Sequence, residues 1–438
     1  MSESSTKKQR TQSPFAPAVN ELHNFKRTWP NWCTVESEPV IWTQLLRDVG
    51  ARNTEVVEVY TIDEEGFAVV TPAHGIIFCM VFNTKYDPSE QEVVCPEGLW
   101  FANQVEDNAC GTYAIMNIIM NSPDVELSTE LTNFKEYSKA LTPPHKGLAV
   151  ASFEFLKSAH NSFGRRTEMD DLDLNQADAY KASRRGRSKS EKRKKGKKNA
   201  DEDDDEDGEI DEDNMAYHYI AYVHVDGAIW ELDGLKRQPV KFETCEHKDW
   251  LKAIGPRLHE RIALYPKTLE RFTCLALVPE RLPIYRKELV FNAKILGAIE
   301  ARLQEVNPEW HSFVTKDSHE GIYTEALTES VEESAEVLKI KSLTSSETLV
   351  EYYSRFCIEQ RDIKHKISEA EKEAYENSVT TERTRHDYEP FIREMSRILA
   401  RNKQARDILE PDWAERATKR KKRGVANRSA RGRPRSKN

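Results

Sequence analysis

Two adjoining blocks of opposite charge interrupt the middle of this chain, and they most constrain how it can fold. Residues 181–198 contain eleven Lys or Arg and one Glu, whereas residues 201–213 contain eleven Asp or Glu. A segment this polar cannot bury enough apolar surface to offset the conformational entropy that folding removes. Any packed domain that includes this region must therefore be built from residues on both sides of it.

Charge is also segregated along the rest of the chain. Residues 416–438 contain eleven Lys or Arg and no acidic residue, and the 181–213 region is almost neutral at −1. Because the 438 residues have a formal net charge of −9, the remaining residues carry −19. A chain of this length and polarity favours two or three folded units joined by solvated segments, with an acidic body and a basic tail.

No stretch of the sequence resembles a membrane-spanning or secretory segment. The apolar runs fall well short of the roughly 18 residues of a membrane helix. Residues 1–14 lack the apolar core of a signal peptide. We therefore expect a soluble, intracellular protein with no membrane partner. Residues 1–24, rich in Ser, Thr and Lys, are predicted to be a disordered lead.

The cysteines are scattered and odd in number, without a C-x-x-C pair. They are Cys33, Cys79, Cys95, Cys110, Cys245, Cys274 and Cys357. This distribution disfavours a zinc site or a disulfide framework and favours free thiols in a reducing compartment. We expect no metal and no cofactor, and if one thiol is reactive, we expect the others to be core residues.

The spacing of apolar residues predicts a mixed domain followed by a helical one. Strands are predicted at residues 55–62, 76–82, 216–225, 228–232 and 272–278. Helices are predicted near residues 40–46, 109–120, 128–140 and 147–160. Beyond Pro283 the pattern becomes helical, with apolar stripes beginning at Leu289, Leu349 and Phe391.

Cys110 lies where a loop is predicted to become a helix. The free amides and the dipole of a helix N-terminus stabilise a thiolate, the nucleophilic form of cysteine, and can also receive an oxyanion. Gln104, six residues earlier, carries a side-chain amide that could complete an oxyanion hole. A cysteine at a helix start is also typical of plain core packing, so this segment alone leaves both readings open.

A predicted hairpin supplies a base for this cysteine. Asp226-Gly227 between alternating apolar residues is typical of a two-residue turn, which would pair Asp233 with Ile220. His218 lies two residues before Ile220 on the same face, so Asp233 is predicted to lie diagonal to His218. An imidazole oriented by a carboxylate can activate a thiol. The alternative is a half-exposed histidine on a polar strand face.

These residues resemble the ubiquitin C-terminal hydrolase family (peptidase C12), thiol proteases that cleave after the terminal glycine of ubiquitin. The resemblance covers residues 31–39, residues 104–112 with the family's glutamine-to-cysteine spacing, and residues 217–235. The separation of fifteen residues between His218 and Asp233 also matches the family. Three blocks in the same order over roughly 250 residues make the match specific.

The resemblance implies a fold, a reaction and a role for each site residue. The fold is α+β, an α/β/α layered papain-like cysteine protease fold, over residues 25–283. Cys110 is implied to be the nucleophile, His218 the general base and acid, Asp233 the carboxylate that orients it, and Gln104 the oxyanion donor. The substrates are then ubiquitin and ubiquitinated proteins.

The helical extension, residues 284–412, resembles the one found in the larger members of that family. Residues 385–392, Arg-His-Asp-Tyr-Glu-Pro-Phe-Ile, resemble the motif that opens the last helix of the proteasome-associated hydrolase and of the Calypso-like, Polycomb-type enzyme. In those enzymes the extension binds a partner's helical deubiquitinase-adaptor domain. The alternative is a bundle that only packs on the catalytic domain.

The charged insert, residues 164–214, falls where the family carries the loop that crosses the active-site cleft. One hypothesis is a mobile loop that admits larger ubiquitin conjugates and whose basic and acidic blocks pair with each other as a lid. The alternative is an inert solvated linker.

The basic tail, residues 413–438, contains two short motifs. Residues 419–423, Lys-Arg-Lys-Lys-Arg, are typical of a nuclear localisation signal. Residues 431–435, Arg-Gly-Arg-Pro-Arg, resemble an AT-hook, whose Arg side chains enter the narrow minor groove of A/T-rich DNA. We therefore expect a nuclear as well as cytoplasmic protein that contacts A/T-rich DNA through residues 419–435.

Three biological roles follow from these features. The motif at residues 385–392 favours an enzyme of ubiquitin-dependent turnover, partnered by the proteasome. The basic tail favours a chromatin enzyme that acts on monoubiquitinated histone in the nucleosome. A non-catalytic chromatin scaffold is the third reading, and the presence of Cys110, His218, Asp233 and Gln104 argues against it.

Overall fold

The computed structural model describes residues 25–81, 93–174, 217–265, 272–313 and 335–402. The expectations for the N-terminal lead, for the charged blocks at 181–213 and for the tail at 413–438 lie outside the described residues. The chain divides into two compact units. Among the described residues, the larger unit comprises those within 23–164 and 168–385, and the smaller comprises residues 165–167 and 386–402.

A six-stranded antiparallel sheet forms the centre of the larger unit. Its strand order is β2-β8-β3-β5-β6-β7, and a separate two-stranded ribbon pairs β1 with β4. The strands are β1 (Ala51–Arg52), β2 (Thr54–Glu58), β3 (Gly75–Val81), β4 (Glu126–Leu127), β5 (Tyr217–Val225), β6 (Ala228–Leu232), β7 (Val240–Thr244) and β8 (Phe272–Pro279).

Helices cover both faces of this sheet. Those before the extension are α1 (Pro39–Val49), α2 (Glu64–Val69), α3 (Cys110–Ile119), α4 (Thr129–Ser138), α5 (Pro143–Ala151), α6 (Glu154–Asn161) and α7 (Trp250–Ala263). One apolar core lies between the sheet and α1, α3, α4 and α6, and a second lies between the opposite face and α2 and α7. The α/β/α layering predicted from the family resemblance is confirmed.

Strand β3 shows why the sheet is a central layer. All seven of its residues, Gly-Ile-Ile-Phe-Cys-Met-Val, are buried. Ile77 and Cys79 belong to the first core, whereas Ile76, Phe78 and Met80 belong to the second. A strand that is apolar at every position requires cover on both faces, and alternation then divides its side chains between two cores.

The predicted hairpin has the register that the sequence indicated. Asp226 and Gly227 both have positive φ, +50° and +74°, which is the backbone of a type I′ turn. Tyr222 pairs with Glu231 and Ala221 pairs with Leu232, so each pair sums to the number that a two-residue turn requires. Asp233 lies one residue beyond the last pair.

Three elements differ from the predicted boundaries for identifiable reasons. Strand β2 ends at Glu58 because Asp63 caps α2 by accepting the Gly66 amide at 2.8 Å. The single helix predicted at 147–160 is two, since Phe153 leaves helical geometry and its ring stacks on Phe134 at 4.6 Å. Residues 166–174, placed in the charged insert, are helical, and Met169 among them is fully buried.

The extension is helical, and the part of it that ends at Arg385 packs around a core of its own. Its helices are α8 (Arg281–Val306), α9 (Ala335–Ser342), α10 (Ser346–Arg385) and α11 (Glu389–Arg401), with a short 3-10 turn at Trp310–Phe313. Two of the predicted stripes lie in this core, including Leu296 and Leu303 from α8 and Tyr353 from α10. Asn292 and Gln360 bridge the two helices by a buried hydrogen bond of 3.1 Å.

Helix α11 differs from the others because its apolar stripe is not buried. It is the helix predicted around Phe391, and no residue of it is buried. Its exposed apolar residues, with the preceding tyrosine, are Tyr388 (47%), Phe391 (65%), Ile392 (56%), Met395 (45%) and Ile398 (43%). Their spacing of three and four residues places them on one face of the helix.

The core of the extension should make a large contribution to its stability. Leu303 is fully buried, so Leu303→Ala should destabilise this region by about 2–5 kcal/mol through lost burial and an unfilled cavity. Urea unfolding followed by far-ultraviolet circular dichroism measures the change. Leu338→Ala on α9 is the control, since that side chain is 51% exposed. Equal midpoints for the two variants would contradict this packing.

Candidate active site

Cys110 is the first residue of α3, as the sequence predicted. The chain enters the helix through Asn108, whose φ of +62° is a left-handed conformation that asparagine tolerates. Ala109 precedes the helix without a side-chain cap. The free amides of the first turn therefore have no competing side-chain acceptor from the capping position.

Helix α1 fixes the start of α3. A Cβ atom added at Gly111 would lie 2.5 Å from the ring of Trp42, a distance that real contacts do not show. The Trp42 ring also packs edge-on against Tyr219 of β5, with ring centroids 5.8 Å apart. Glycine after the cysteine thus lets one aromatic side chain hold the helix start against the central sheet.

His218 and Asp233 form a buried hydrogen bond. His218 Nε2 donates to Asp233 Oδ1 at 2.7 Å, and the two residues are 5% and 4% exposed. The contact joins the start of β5 to the residue after β6, the diagonal neighbours that the hairpin register predicts. Asp233 also accepts the Leu235 amide at 2.9 Å, which fixes the carboxylate in its turn.

The Cys110 side chain lies close enough to His218 to raise the pKa of that histidine. Burial on its own lowers the pKa of His218, because a low-dielectric environment disfavours the imidazolium. Hydrogen bonds and charge from Asp233 and Cys110 outweigh burial and raise that pKa to about 9. The structure therefore places Cys110 next to a histidine that is hydrogen-bonded to an aspartate.

The pKa of Asp233 shifts in the opposite direction. Burial would raise the pKa of this carboxyl group, but the hydrogen bond and charge of His218 lower it below its usual value. The Leu235 amide and the charge of Arg261 act in the same direction. An imidazolium and a carboxylate side by side are the charge state that both shifts favour.

Gln104 lies beside the Asp233 turn, and its side-chain amide is hydrogen-bonded to a neighbouring backbone carbonyl. Its backbone amide donates to Gly234 O at 2.8 Å, which joins the loop before α3 to the residue after Asp233. Its side-chain amide donates to the carbonyl oxygen of Glu106 at 3.0 Å. The structure thus brings Gln104 next to the predicted site, and its role as oxyanion donor stays a prediction.

Sequence reasoning missed the residues that hold the family-like N-terminal block, residues 31–39, against α3. His160 on α6 donates through Nε2 to Cys33 O at 2.8 Å and accepts from Thr112 on α3 at 2.7 Å. Burial lowers the pKa of His160 to about 4, so it is neutral. Asn161 accepts the Cys33 amide at 3.2 Å. The adjacent His160 and Asn161 on α6 are the sequence feature that could have indicated these contacts.

Sequence reasoning also missed Asn103, the neighbour of Gln104. Its side-chain amide donates to Lys236 O at 2.5 Å, so the loop before α3 is attached to the Asp233 turn at a second point. No sequence pattern marks this contact, because it depends on how two distant loops meet. It shows that the loop before α3 and the Asp233 turn are held as one structural piece.

The other thiols differ from Cys110 in their environment. All seven cysteines are free, and Cys33, Cys79, Cys274 and Cys357 are buried. Burial raises the pKa of Cys33, Cys79 and Cys274 to about 12 each, with a further contribution from Glu168 at Cys33. The expectation that most thiols are core residues is confirmed for these four.

Two further features of the described residues concern metal binding and membrane insertion. Within them, no group of three or more His, Cys, Asp or Glu side chains is placed to hold a metal ion. None of the described helices combines the length and apolar content needed to cross a bilayer.

Known proteins resemble this chain in both sequence and structure. The profile of ubiquitin carboxyl-terminal hydrolase, family 1, matches residues 32–263, more than half of the chain. The ubiquitin carboxyl-terminal hydrolase isozyme L5 of Dictyostelium discoideum is 30% identical over 276 residues, 63% of this chain and 70% of that protein. The ubiquitin carboxyl-terminal hydrolase calypso of Aedes aegypti is 26% identical over 312 residues, 67% of this chain and 58% of that protein.

A solved structure is also similar. It is the UCH37 catalytic domain of Trichinella spiralis bound to ubiquitin vinyl methyl ester, 25% identical with a TM-score of 0.43, covering 57% of this chain and 96% of that one. The family profile spans the loop and helix of Cys110 and the hairpin of His218 and Asp233. The chain belongs to family 1 of the ubiquitin carboxyl-terminal hydrolases, and it is a ubiquitinyl hydrolase of the thiol-protease type.

Proposed function

We propose that this hydrolase cleaves the bond after the C-terminal glycine of ubiquitin with a Cys110-His218-Asp233 triad. The observation that carries the proposal is the buried hydrogen bond between His218 and Asp233, with the Cys110 side chain close enough to raise the pKa of this histidine. A histidine between a thiol and a carboxylate is the arrangement that activates a cysteine nucleophile. The position of Cys110 at the start of α3 adds the helix amides to this arrangement.

The reaction is an acyl transfer in two steps. The Cys110 thiolate attacks the glycine carbonyl, and the tetrahedral intermediate breaks the bond to the amine as His218 donates its proton to that leaving group. A water molecule then attacks the thioester while His218 removes one of its protons, which releases ubiquitin with a free carboxylate and restores the thiol. Asp233 keeps the imidazole oriented and stabilises its charge throughout.

Gln104 and the amides at the start of α3 stabilise the oxyanion of each intermediate. The Gln104 side chain donates to Glu106 O at 3.0 Å in this structure. We propose that the amide leaves this carbonyl when the substrate carbonyl arrives. The backbone bond from Gln104 to Gly234 keeps the residue in place while its side chain changes partner.

The charge of the body suits a basic substrate segment. The chain outside the 181–213 insert and the 416–438 tail carries −19, and ubiquitin presents an Arg-rich C-terminal tail to its hydrolases. Opposite charge raises the rate of encounter and makes it depend on ionic strength. This supports the proposed substrate without specifying it.

We propose that helix α11 binds a helical deubiquitinase-adaptor domain. Its apolar side chains are exposed along one face, from Tyr388 and Phe391 to Ile398. An exposed apolar stripe on a helix is the usual form of a docking surface for a partner helix. The predicted alternative, a bundle that only packs on the catalytic domain, does not account for this exposure.

For the biological setting, we propose turnover of ubiquitinated proteins at the proteasome, in the nucleus and the cytoplasm. The resemblance of residues 385–392 to the proteasome-associated hydrolase supports this role. The similarity to calypso and the basic residues at 413–438 support a second candidate, a chromatin enzyme acting on monoubiquitinated histone and contacting A/T-rich DNA. A purely scaffolding role would not require Cys110 beside the hydrogen-bonded pair of His218 and Asp233.

The triad can be tested with a ubiquitin propargylamide probe. We expect wild-type protein to be labelled and Cys110→Ala to show no labelling. Asp233→Asn should lower the turnover of ubiquitin-aminomethylcoumarin by about 10²-fold or more, because His218 loses the carboxylate that orients it. Cys95→Ala is the matched control, since that half-buried thiol lies outside the triad. Labelling that persists in Cys110→Ala would refute the assignment.

The activity should depend on pH through His218. Because the pKa of His218 is raised to about 9, the imidazolium persists at neutral pH and is lost as the pH rises through about 9. The rate of probe labelling should therefore fall as the pH rises through about 9, which forms the alkaline limb of its pH profile. Asp233→Asn removes a bond and a charge that favour the imidazolium, so its alkaline limb should move to lower pH. Identical pH profiles for wild-type protein and Asp233→Asn would contradict the proposed pairing of His218 with Asp233.

The docking surface and the biological setting can be tested in one affinity purification. Phe391→Asp places a charge within the apolar stripe and should abolish recovery of an adaptor that wild-type protein retains. Ala400→Asp introduces the same charge on a different face of α11 and should retain it. Mass spectrometry then separates proteasome subunits from Polycomb-type and histone partners. Equal recovery by both variants would exclude α11 as the docking site.

A further inference from the structure

We propose that Glu231 is a positioning residue for the hydrolysis, because it anchors the turn that carries Asp233 and meets the backbone of Gln104. The inference rests on the proposed function of the triad. It concerns a buried charge cluster on the far side of Asp233, formed by Glu231, Lys236 and Arg261.

Glu231 is the centre of this cluster. It lies on β6 two residues before Asp233 and is 0% exposed. Its carboxylate accepts hydrogen bonds from Tyr222 Oη at 2.9 Å, Arg261 Nη1 at 2.8 Å and Lys236 Nζ at 2.9 Å. A carboxylate is retained at such depth only with partners of this kind, and here two of them are cations.

Lys236 connects this centre to the Asp233 turn. Its backbone amide donates to Asp233 O at 3.0 Å, which closes the turn, while its ammonium group is held by Glu231. The opposite side of the turn is held by residues 103 and 104. Asn103 donates to Lys236 O at 2.5 Å and the Gln104 amide donates to Gly234 O at 2.8 Å. Movement of Lys236 would therefore displace Asp233 and Gln104 together.

Arg261 adds an electrostatic connection. It reaches the cluster from α7, is 4% exposed and also donates to Met80 Sδ at 3.3 Å. Its charge helps to keep Asp233 ionised. Glu231 holds this guanidinium in place and offsets the positive charge of Arg261 and Lys236. An apolar residue at position 231 would leave the Arg261 guanidinium and the Lys236 ammonium group without the carboxylate that pairs with them.

A purely structural role is the competing explanation, since breaking a buried ion pair destabilises a protein. The two explanations differ in what happens when Asp233 is already disabled. A residue that acts through Asp233 loses most of its kinetic effect in an Asp233→Asn background. A residue that only stabilises the fold keeps the same effect in both backgrounds.

The experiment measures kcat and KM for ubiquitin-aminomethylcoumarin in full-length protein. Glu231→Gln and Lys236→Met are made in the wild-type and Asp233→Asn backgrounds. We expect kcat to fall about 10-fold in the wild-type background with KM unchanged within about twofold, and to fall less than about twofold beside Asp233→Asn. Lys241→Met, an exposed lysine on β7, is the matched control and should retain full activity.

Glu231→Gln and Lys236→Met differ in how strongly they are expected to disturb folding. Glu231→Gln leaves Arg261 without its carboxylate, so thermal melting is measured for every variant. Lys236→Met leaves the Glu231–Arg261 pair intact, so it still tests whether the cluster positions Asp233 if Glu231→Gln does not fold. Unchanged kcat in folded Lys236→Met, or the same fold-loss in both backgrounds, would overturn the inference. Full turnover by Asp233→Asn would instead overturn the proposed triad.

Discussion

The hydrogen bond of 2.7 Å between His218 and Asp233 is the interaction on which the rest of the site depends. Both residues lie at the end of one hairpin, and the pairing of β5 with β6 sets which side chains meet there. Side chains alternate between the faces of a strand, so a slip of one residue would turn His218 away from Asp233. The positive φ angles of Asp226 and Gly227, at the opposite end of the hairpin, prevent that slip.

Much of this arrangement could be predicted because it is local in the sequence. The turn residues Asp226-Gly227 specify the hairpin, and the hairpin specifies that His218 and Asp233 are neighbours. The start of α3 at Cys110 follows from a polar loop that precedes an apolar helix. The layered fold came from the family resemblance rather than from periodicity, which indicates the type of each element but not the order of strands in the sheet.

What could not be predicted depends on side chains that meet only in the folded chain. The engagement of Gln104 with Glu106 O is invisible in a sequence, because an amide has several local acceptors within reach. Glu231 reads as an ordinary polar position of a strand, yet it is fully buried because Arg261, thirty residues later, reaches it from α7. The exposure of Phe391 is equally hidden, since an apolar stripe indicates a contact surface without naming its partner.

The position of Cys110, rather than its chemistry, separates it from the other thiols. Cys79 lies on the central strand β3 close enough to Cys110 for their charges to interact, but burial raises its pKa to about 12. Cys110 is only partly buried and has the amides of α3 and the imidazole of His218 beside it. Its histidine comes from the other side of the charged insert, 108 residues later. The nucleophile and its histidine therefore meet only when α3 packs against β5, so reactivity is a property of the assembled domain and not of the helix alone.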